Sequence, residues 1–414
     1  MSISHVVSPG RRVADALLES VLEQHRALEE ALDAVPGSIE PRDKAAGHRI
    51  AAAVLRRLGS LDAVMEPFLR RSPPAPALRA LRIGAAELLL LGTPPHAAVS
   101  AAVSLVPRPL AGLVNAVLRR VAEHGARALE ELDAERLDTP TWLWTSWHAA
   151  HGAAVRAIAA SHRQEALLDL SLKPGAAPPE GATLLPTGTA RMPAGTRITE
   201  LPGFAAGELW AQDAAAALPA RLLAVKPGEL VADLCAAPGG KTAQLAAAGA
   251  RVIAVEREAS RMPRLRENMA RLKLTPDLVN SDVIGWKPEA LFDAILLDAP
   301  CTATGTIRRH PDVPHLKRAK DVAVLAAQQR NLLVAASRLL KPGGRLVFAT
   351  CSLQAEEGEA HLAHIPEGLR LDPIRDEELP GIGATGAGHL RTRPDLWSAE
   401  GGMDGFFAMR LVRA

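Results

Sequence analysis

Two cysteines lie fifty positions apart, each directly after an apolar run that is typical of a buried β-strand. Cys301 stands in LLDAPCTATG just behind Asp298, and Cys351 stands in LVFATCSL. A lone cysteine is most often a small buried hydrophobic residue. Two cysteines at the ends of neighbouring strands, beside a carboxylate, instead indicate a pair of reactive thiols that face one cleft.

Paired thiols of this kind suit the methylation of cytosine at C5. That carbon is too weak a nucleophile to take a methyl group directly, but addition of a thiolate to C6 converts the ring to an enamine whose C5 can attack. An acid at N3 would stabilise the adduct, and Asp298 is placed for that role. A second thiol could assist the final loss of the C5 proton and release of the product. The chemistry alone does not decide which cysteine has which role.

A small-residue loop, VADLCAAPGGKT at residues 231–242, joins a predicted strand to a predicted helix. Glycines allow a ligand to approach the backbone, and a helix N-terminus offers free N–H groups. A phosphate-binding P-loop would need glycine where Cys235 stands, and Pro238 removes one N–H donor. The G-x-G-x-x-G spacing of dinucleotide-binding loops is not present either. A plain tight turn remains the alternative to a ligand-binding loop.

Three acidic residues follow successive predicted strands after this loop. Glu256 comes about 20 residues after it, where a carboxylate can accept hydrogen bonds from both ribose hydroxyls of a nucleoside. Asp282 follows the third strand and Asp298 closes the fourth. Because the C-terminal ends of the strands in an open parallel sheet line one crevice, these acids and the loop should share one ligand. We therefore predict a pocket for a nucleoside without polyphosphate, with S-adenosylmethionine as the candidate.

The hydrophobic pattern predicts the elements that position these residues. From residue 215 onward, short β-branched runs alternate with helical patterns, as in a parallel, doubly wound sheet. The runs are Leu230 to Leu234, Arg251 to Val255, Asp277 to Val279, Ala294 to Leu297 and Arg345 to Ala349. From Arg11 to about Glu131 apolar residues recur at helical spacing, which predicts a helical bundle. The stretch between these regions is rich in Trp, Pro and Gly and indicates a linker or small subdomain.

Length and composition agree with a multidomain soluble protein. A chain of 414 residues has room for two or three domains, and 48% hydrophobic with 23% charged residues is typical of globular proteins. Three cysteines cannot build a disulfide framework or a four-thiolate zinc site, so a reducing cytoplasm fits best. Residues 1–12 do not resemble a secretory signal, and the most apolar segment, residues 83–91, is too short for a membrane span.

A basic run follows Cys301, although the net charge of the chain is only +2. Such clusters neutralise RNA phosphates while the target base is unstacked into the pocket, and a solvated helix face is the alternative. The run comprises Arg308, Arg309, His310, Lys317, Arg318 and Lys320. His361 and His364 have helical i, i+3 spacing without an evident third ligand, so we expect a solvated face and no metal.

Taken together, DLCAAPGGKT, DAPCTATGTIRRHP and KPGGRLVFATCS resemble the Sun (Fmu) branch of the Nol/Nop/Sun family of RNA cytosine C5 methyltransferases. LRALRIGAAELLLLGTPPHAAV and LVNAVLRRV resemble the NusB-like, all-helical RNA-binding domain of that branch, and DGFFAMRL resembles its final strand. The resemblance implies a NusB-like helical bundle at 1–135, then a linker and small RNA-contacting subdomain at 136–212. An α/β doubly wound, Rossmann-like methyltransferase domain would follow at 213–414.

The same resemblance implies a role for each candidate residue. It makes Cys351 the nucleophile and Cys301 the residue that helps to release the product, with Asp298 beside them. It assigns S-adenosylmethionine to Cys235, Ala236, Ala237, Pro238, Gly239, Gly240, Lys241, Glu256, Asp282 and Asp298. It implies an enzyme that methylates RNA, specifically small-subunit ribosomal RNA. From the basic run we expect phosphate contacts from Arg308, Arg309 and His310, and we expect the enzyme to be a monomer.

Two other functions compete with this interpretation. A catalytically silent NusB-like RNA-binding or ribosome assembly factor would not need the acids and both cysteines that this chain retains. A methyltransferase acting on a small molecule or a protein would need neither paired thiols nor a helical RNA-binding module.

Overall fold

The structure is a computed structural model that describes residues 8–414; residues 1–7, part of the stretch considered for a secretory signal, lie outside the described residues. The chain divides into two compact units. The first extends to Gln164 and also contains Ile307–Arg318, here termed the returning segment. The second comprises Glu165–Thr306 and Ala319–Ala414. These units differ from the domain boundaries predicted at 135 and 212, because helices that follow residue 135 belong to the first unit.

The first unit is helical, as the spacing between Arg11 and Glu131 predicts. Its core is built from one apolar face of each long helix, and Leu17, Leu81 and Leu118 are fully buried there. Gly84 permits close packing, because a Cβ at this position would lie 2.4 Å from Cδ1 of Leu118. The helices are α1 (Pro9–Leu22), α2 (Leu28–Asp33), α3 (Pro41–Arg56), α4 (Leu58–Met65), α5 (Ala75–Leu89), α6 (Pro95–Ser104), α7 (Arg108–Glu130), α8 (Ala134–Leu137), α9 (Thr141–His151) and α10 (Val155–His162).

The second unit begins with a small antiparallel sheet, which the sequence indicated only as a linker or small subdomain. Its strands are arranged in the order β2-β3-β1-β4, and the buried side chains of Leu170, Met192 and Leu209 form its apolar centre. The elements are β1 (Asp169–Leu172), β2 (Thr183–Leu184), β3 (Ala190–Arg191), α11 (Pro202–Ala206) and β4 (Leu209–Ala211).

A larger sheet follows, and its parallel part confirms the five predicted strands. The order is β10-β12-β9-β8-β5-β6-β7, with β5 to β9 parallel and β10, β11 and β12 antiparallel at one edge. The elements in chain order are α12 (Leu218–Leu222), β5 (Leu230–Leu234), α13 (Gly240–Ala247), β6 (Arg251–Glu256), α14 (Met262–Arg271), β7 (Asp277–Asn280), β8 (Phe292–Asp298), α15 (Val313–Leu316, in the first unit), α16 (Ala319–Arg338), β9 (Leu340–Thr350), β10 (Leu369–Leu371), β11 (Leu390–Arg391) and β12 (Phe407–Arg413).

The returning segment is held in the first unit by specific hydrogen bonds. The backbone N–H of Leu28 donates to Oδ2 of Asp312 at 2.9 Å, and Nη2 of Arg56 donates to the carbonyl of Arg308 at 3.0 Å. The first of these bonds satisfies the initial N–H group of α2, which has no partner within its own helix. Residues 307–318 therefore belong structurally to a unit whose other residues lie far away in sequence.

A buried histidine, His162, makes the stability of the first unit dependent on pH. His162 packs against Trp147, with ring centroids 5.1 Å apart, and burial lowers the pKa of His162 to about 3. The unfolded chain protonates this residue below its ordinary pKa of about 6.5. Its contribution to stability is therefore complete above pH 6.5 and is lost as the pH falls from 6.5 towards 3.

We expect the wild-type chain to lose about 2 kcal/mol of unfolding free energy through His162 between pH 7.5 and pH 5. A His162→Phe variant has no proton to bind at this site and should lose correspondingly less over the same range. Urea unfolding of both chains at the two pH values measures the difference. Equal losses would show that this imidazole does not control the pH dependence.

Candidate active site

The small-residue loop joins β5 to α13 through a left-handed backbone. Cys235 has φ +66° and Gly239 has φ +103°, a region that favours glycine. A Cβ at Gly239 would lie 2.7 Å from Cδ1 of Leu265 and 2.9 Å from Cε of Met269, both on α14. Glycine is thus needed here for the turn and for packing against α14, whereas the sequence suggested ligand approach as the reason. Burial raises the pKa of the Cys235 thiol to about 12, so this cysteine stays protonated.

Two of the predicted acids, Glu256 and Asp282, lie in different environments, and only Glu256 contacts the loop. Glu256, at the end of β6, is 3% exposed and accepts a hydrogen bond from the N–H of Ala237 at 3.2 Å. Asp282 is exposed, and its Oδ1 accepts from the N–H of Ile284. Arg261, which the sequence analysis did not single out, donates to the carbonyl of Ala237 at 2.6 Å. Glu256 and Arg261 together fix the loop from the side of β6.

A further acid, Asp233, lies inside β5 and was also missed by the sequence analysis. It is 1% exposed, and burial raises its pKa to about 7. Its Oδ2 accepts from Thr242, whereas its Oδ1 is buried without a hydrogen-bond partner in residues 8–414. Several acids together with one unsatisfied buried oxygen fit a ligand that carries ribose hydroxyls, an ammonium and a sulfonium. The only sequence signal was a carboxylate within an otherwise apolar strand.

Lys241, at the start of α13, pairs with the acid at the end of β8. Its Nζ lies 2.6 Å from Oδ2 of Asp298 and 5.1 Å from the ring centroid of Phe406. Burial by itself would lower the pKa of Lys241, but the charge of Asp298 and the hydrogen bond to it raise this pKa above its ordinary value. The sequence placed both residues at the cofactor, and the structure shows that they also form an ion pair.

The two thiols are in contact with each other. Strands β8 and β9 are adjacent and parallel, as predicted, with Asp298 opposite Ala349, and the Sγ atoms of Cys301 and Cys351 lie 3.4 Å apart. The hydrogen bond to Cys351, together with burial, raises the pKa of the Cys301 thiol well above its ordinary value. Either sulfur can be the donor in this contact, and the raised pKa of Cys301 favours the form in which Cys301 keeps its proton.

A buried carboxylate connects the two loops that carry the thiols. Glu357 is 0% exposed and accepts hydrogen bonds from Thr302 and Ser352, the residues that directly follow Cys301 and Cys351. Burial raises the pKa of Glu357, and the hydrogen bonds from Ser352 and Thr302 oppose that shift. Glu357 was not predictable from the sequence, because nothing in CSLQAEEGE distinguishes a buried acid from an exposed one.

The basic and histidine residues singled out from the sequence differ in exposure. Arg308 is 2% exposed, so its guanidinium is not available to a phosphate in this structure, whereas Arg309 is exposed and His310 is half-buried. The expectation of a solvated face at the histidines is wrong for His361, which is 0% exposed and hydrogen-bonded to Gln329 at 2.9 Å. Spacing could not show this, because His361 is covered by α16, which is distant in sequence.

Comparison with known protein families matches both parts of the chain. Residues 220–412 match the family model described as 16S rRNA methyltransferase RsmB/F, and residues 8–123 match the NusB family. The ribosomal RNA small subunit methyltransferase B of Erwinia tasmaniensis is 34% identical across 97% of this chain and 98% of its own length. The enzyme of the same name from Xanthomonas campestris is 35% identical across 98% and 97%.

Solved structures share the fold. The crystal structure of PH0851 aligns with a TM-score of 0.77 at 23% identity and covers 98% of this chain and 99% of its own. NSun6 from Pyrococcus horikoshii, crystallised with SFG, aligns with a TM-score of 0.54 at 22% identity over 66% of this chain and 98% of its own. None of the helices within residues 8–414 is long and apolar enough to cross a membrane.

Proposed function

Since this chain belongs to the RsmB/F family of S-adenosylmethionine-dependent rRNA methyltransferases, we propose that it methylates C5 of a cytosine through a covalent cysteine adduct. The observation that carries this proposal is the pair of thiols 3.4 Å apart, next to the ion pair of Lys241 and Asp298. Methylation of an exocyclic nitrogen or a ribose hydroxyl would need no sulfur nucleophile. Two thiols at one site match a reaction that both adds and expels a nucleophile.

In the proposed mechanism Cys351 attacks C6 of the cytosine. The contact between the sulfurs supports this choice, because a Cys301 thiol that keeps its proton can donate a hydrogen bond to the attacking sulfur. Cys351 also lies near enough to Lys241 for its charge to contribute to the raised pKa of that lysine. A positive charge therefore lies close to the sulfur that we propose as the nucleophile.

Charge that develops on the ring during attack must be neutralised at N3. Asp298 would meet this edge of the base and pass to N3 the proton that it takes up from the ammonium of Lys241, which is hydrogen-bonded to its Oδ2. The bound cofactor supplies the methyl group, and Asp233, Glu256 and Asp282 would hold its ammonium and ribose. After methyl transfer the C5 proton must pass to a base and the Cys351 sulfur must be expelled as a thiolate. We assign Cys301 to this release step, in which its sulfur would take the C5 proton after giving up its own proton to solvent.

We propose that the substrate is small-subunit ribosomal RNA and that the enzyme acts as a monomer in the cytoplasm. The NusB-like unit would contribute RNA affinity, and exposed Arg309 would contact a phosphate. A silent binding factor is disfavoured, because such a protein would have no use for two adjacent thiols and a half-buried lysine–aspartate pair beside them.

The proposal is tested by incubating the protein with small-subunit rRNA and S-adenosylmethionine labelled in the methyl group. The RNA is then digested to nucleosides and separated. We expect the label in 5-methylcytidine, and none when Cys351→Ala enzyme is used. Label in any other nucleoside would overturn the C5 assignment, and label produced equally by Cys351→Ala enzyme would overturn the covalent mechanism.

The acid at the end of β6 provides a prediction for the cofactor. Replacing Glu256 by alanine removes the proposed ribose acceptor and the acceptor for the Ala237 N–H, which should cost on the order of 1 to 3 kcal/mol of binding free energy. Calorimetric titration with S-adenosylmethionine measures the loss. Glu258→Ala, which changes an exposed neighbour, is the matched control. Unchanged affinity in Glu256→Ala enzyme would contradict the assignment of this pocket.

A further inference from the structure

The carboxylate of Glu357 lies between the two loops that carry the thiols. Its Oε1 accepts from the N–H of Thr302 at 2.9 Å and from Nε2 of Gln329 at 3.2 Å. Its Oε2 accepts from the hydroxyl of Thr302 and from Oγ of Ser352, the latter at 2.6 Å. These contacts are here termed the carboxylate clamp. One side chain is thus bonded to the residue after each cysteine and to α16.

The clamp also anchors both loops to the body of the second unit. Gln329, 0% exposed on α16, uses the same Nε2 to donate to the carbonyl of Pro300 at 2.8 Å, directly before Cys301. On the other loop, Oγ1 of Thr350 donates to the backbone carbonyl of Glu357 at 2.8 Å, directly before Cys351. Each cysteine is therefore held through the residues on both of its sides.

We propose that Glu357 is a positioning residue that fixes the separation and orientation of the Cys301 and Cys351 thiols. This inference rests on the proposed covalent mechanism, in which both sulfurs must reach one base in turn. Glu357 itself touches neither substrate nor cofactor in this assignment. A reaction of this kind is sensitive to displacements of about 1 Å, which can lower the rate by roughly 100-fold.

The chemistry of the clamp explains why an acid is suited to this position. Four donors converge on two oxygens, and an ionised carboxylate accepts from all of them. Alanine would leave these donors buried without acceptors and would release both loops. Glutamine has the same shape: its amide oxygen can replace Oε1, and the hydroxyls of Thr302 and Ser352 can rotate to accept from its amide nitrogen.

The kinetic test compares Glu357→Ala, Glu357→Gln and Glu356→Ala, the last being an exposed neighbour with the same charge. We expect Glu357→Ala to lower single-turnover methylation at saturating cofactor by about 100-fold, with the Kd for S-adenosylmethionine unchanged. Glu357→Gln should restore the rate to within several-fold of wild type. Glu356→Ala should behave as wild type.

A second measurement needs no RNA and therefore separates this inference from the proposed function. Iodoacetamide alkylation of the folded chain, followed by mass mapping, reports the reactivity of all three cysteines together. In Glu357→Ala we expect the ratio of Cys301 to Cys351 alkylation to change several-fold while Cys235 stays slow. Cys235 is the internal reference, because its thiol reacts quickly only when the fold opens.

Several outcomes would overturn the inference. Wild-type turnover in Glu357→Ala would do so, as would an unchanged alkylation ratio. Rapid alkylation of Cys235 in Glu357→Ala would show that Glu357 maintains the fold as a whole. If Glu357→Gln loses as much of the methylation rate as Glu357→Ala does, then the hydrogen bonds of Glu357 do not position the thiols. If the wild-type enzyme forms no 5-methylcytidine, the proposed function fails, and the alkylation ratio still decides whether Glu357 positions the thiols.

Discussion

Enzyme carrying Cys301→Ala is expected to accumulate a covalent complex with its RNA. The substitution leaves Cys351 free to attack C6, and C5 of the base can still take the methyl group, but it removes the thiol assigned to release. The adduct should survive denaturing gel electrophoresis and should require S-adenosylmethionine, because release is blocked after methyl transfer. Cys351→Ala enzyme, which lacks the attacking sulfur, should form neither the adduct nor methylated RNA.

The double variant is the control for this experiment, since the adduct should vanish when Cys351 is also removed. If the adduct appears with Cys351→Ala and not with Cys301→Ala, the roles of the two thiols are reversed. If neither single substitution changes turnover, the thiols belong only to the core. The two sulfurs lie 3.4 Å apart, so both can reach the same base. Each single variant therefore reports the role of the thiol that it removes.

The second large effect is expected at the end of β8. Asp298→Asn keeps the size of the side chain but removes the acid proposed to act at N3, and general acid–base groups contribute roughly 10²- to 10⁴-fold to a rate. It also leaves the half-buried ammonium of Lys241 without its carboxylate, so the pKa of Lys241 should fall. Single-turnover methylation at saturating S-adenosylmethionine measures the effect on the chemical step apart from any change in cofactor binding.

Strand β8 offers a matched control at its other end. Asp293 pairs with Lys341 at 2.6 Å, the same separation as between Asp298 and Lys241. Asp293→Asn therefore removes an aspartate–lysine pair from the same strand, away from the thiols, and should leave the methylation rate unchanged. Equal loss in both variants would indicate a general effect on the sheet and would contradict the role of Asp298 in catalysis.

The parallel strands were predictable because each is a short β-branched run bounded by turn residues. The helices of the first unit were predictable from the repeat of apolar residues such as Leu81 and Leu118. The small sheet was not, since strands as short as β2 and β3 carry too few residues for an alternating pattern. The assignment of residues 307–318 to the first unit depends on contacts with Leu28 and Arg56, which no local pattern encodes.

The residues of the candidate site were also predictable from the sequence only in part. The cysteines and Asp298 were found because the chemistry demands those residue types at strand ends. Asp233 and Glu357 were missed, because their importance comes from burial and from partners distant in sequence. Arg308 was grouped with the exposed basic residues, although it is buried. A run of basic residues in the sequence shows charge, but it does not show which guanidinium the folded chain buries.

The return of residues 307–318 to the first unit also limits how this chain can be divided or exchanged. A fragment ending at Gln164 would lose the Asp312 carboxylate that accepts from Leu28, and a fragment beginning near Asp138 would carry a helix whose partners are gone. A single cut in the gene therefore yields no intact half. Recombination between relatives should succeed only when two separate stretches move together, so the NusB-like unit and its distant helix are expected to be inherited as one piece.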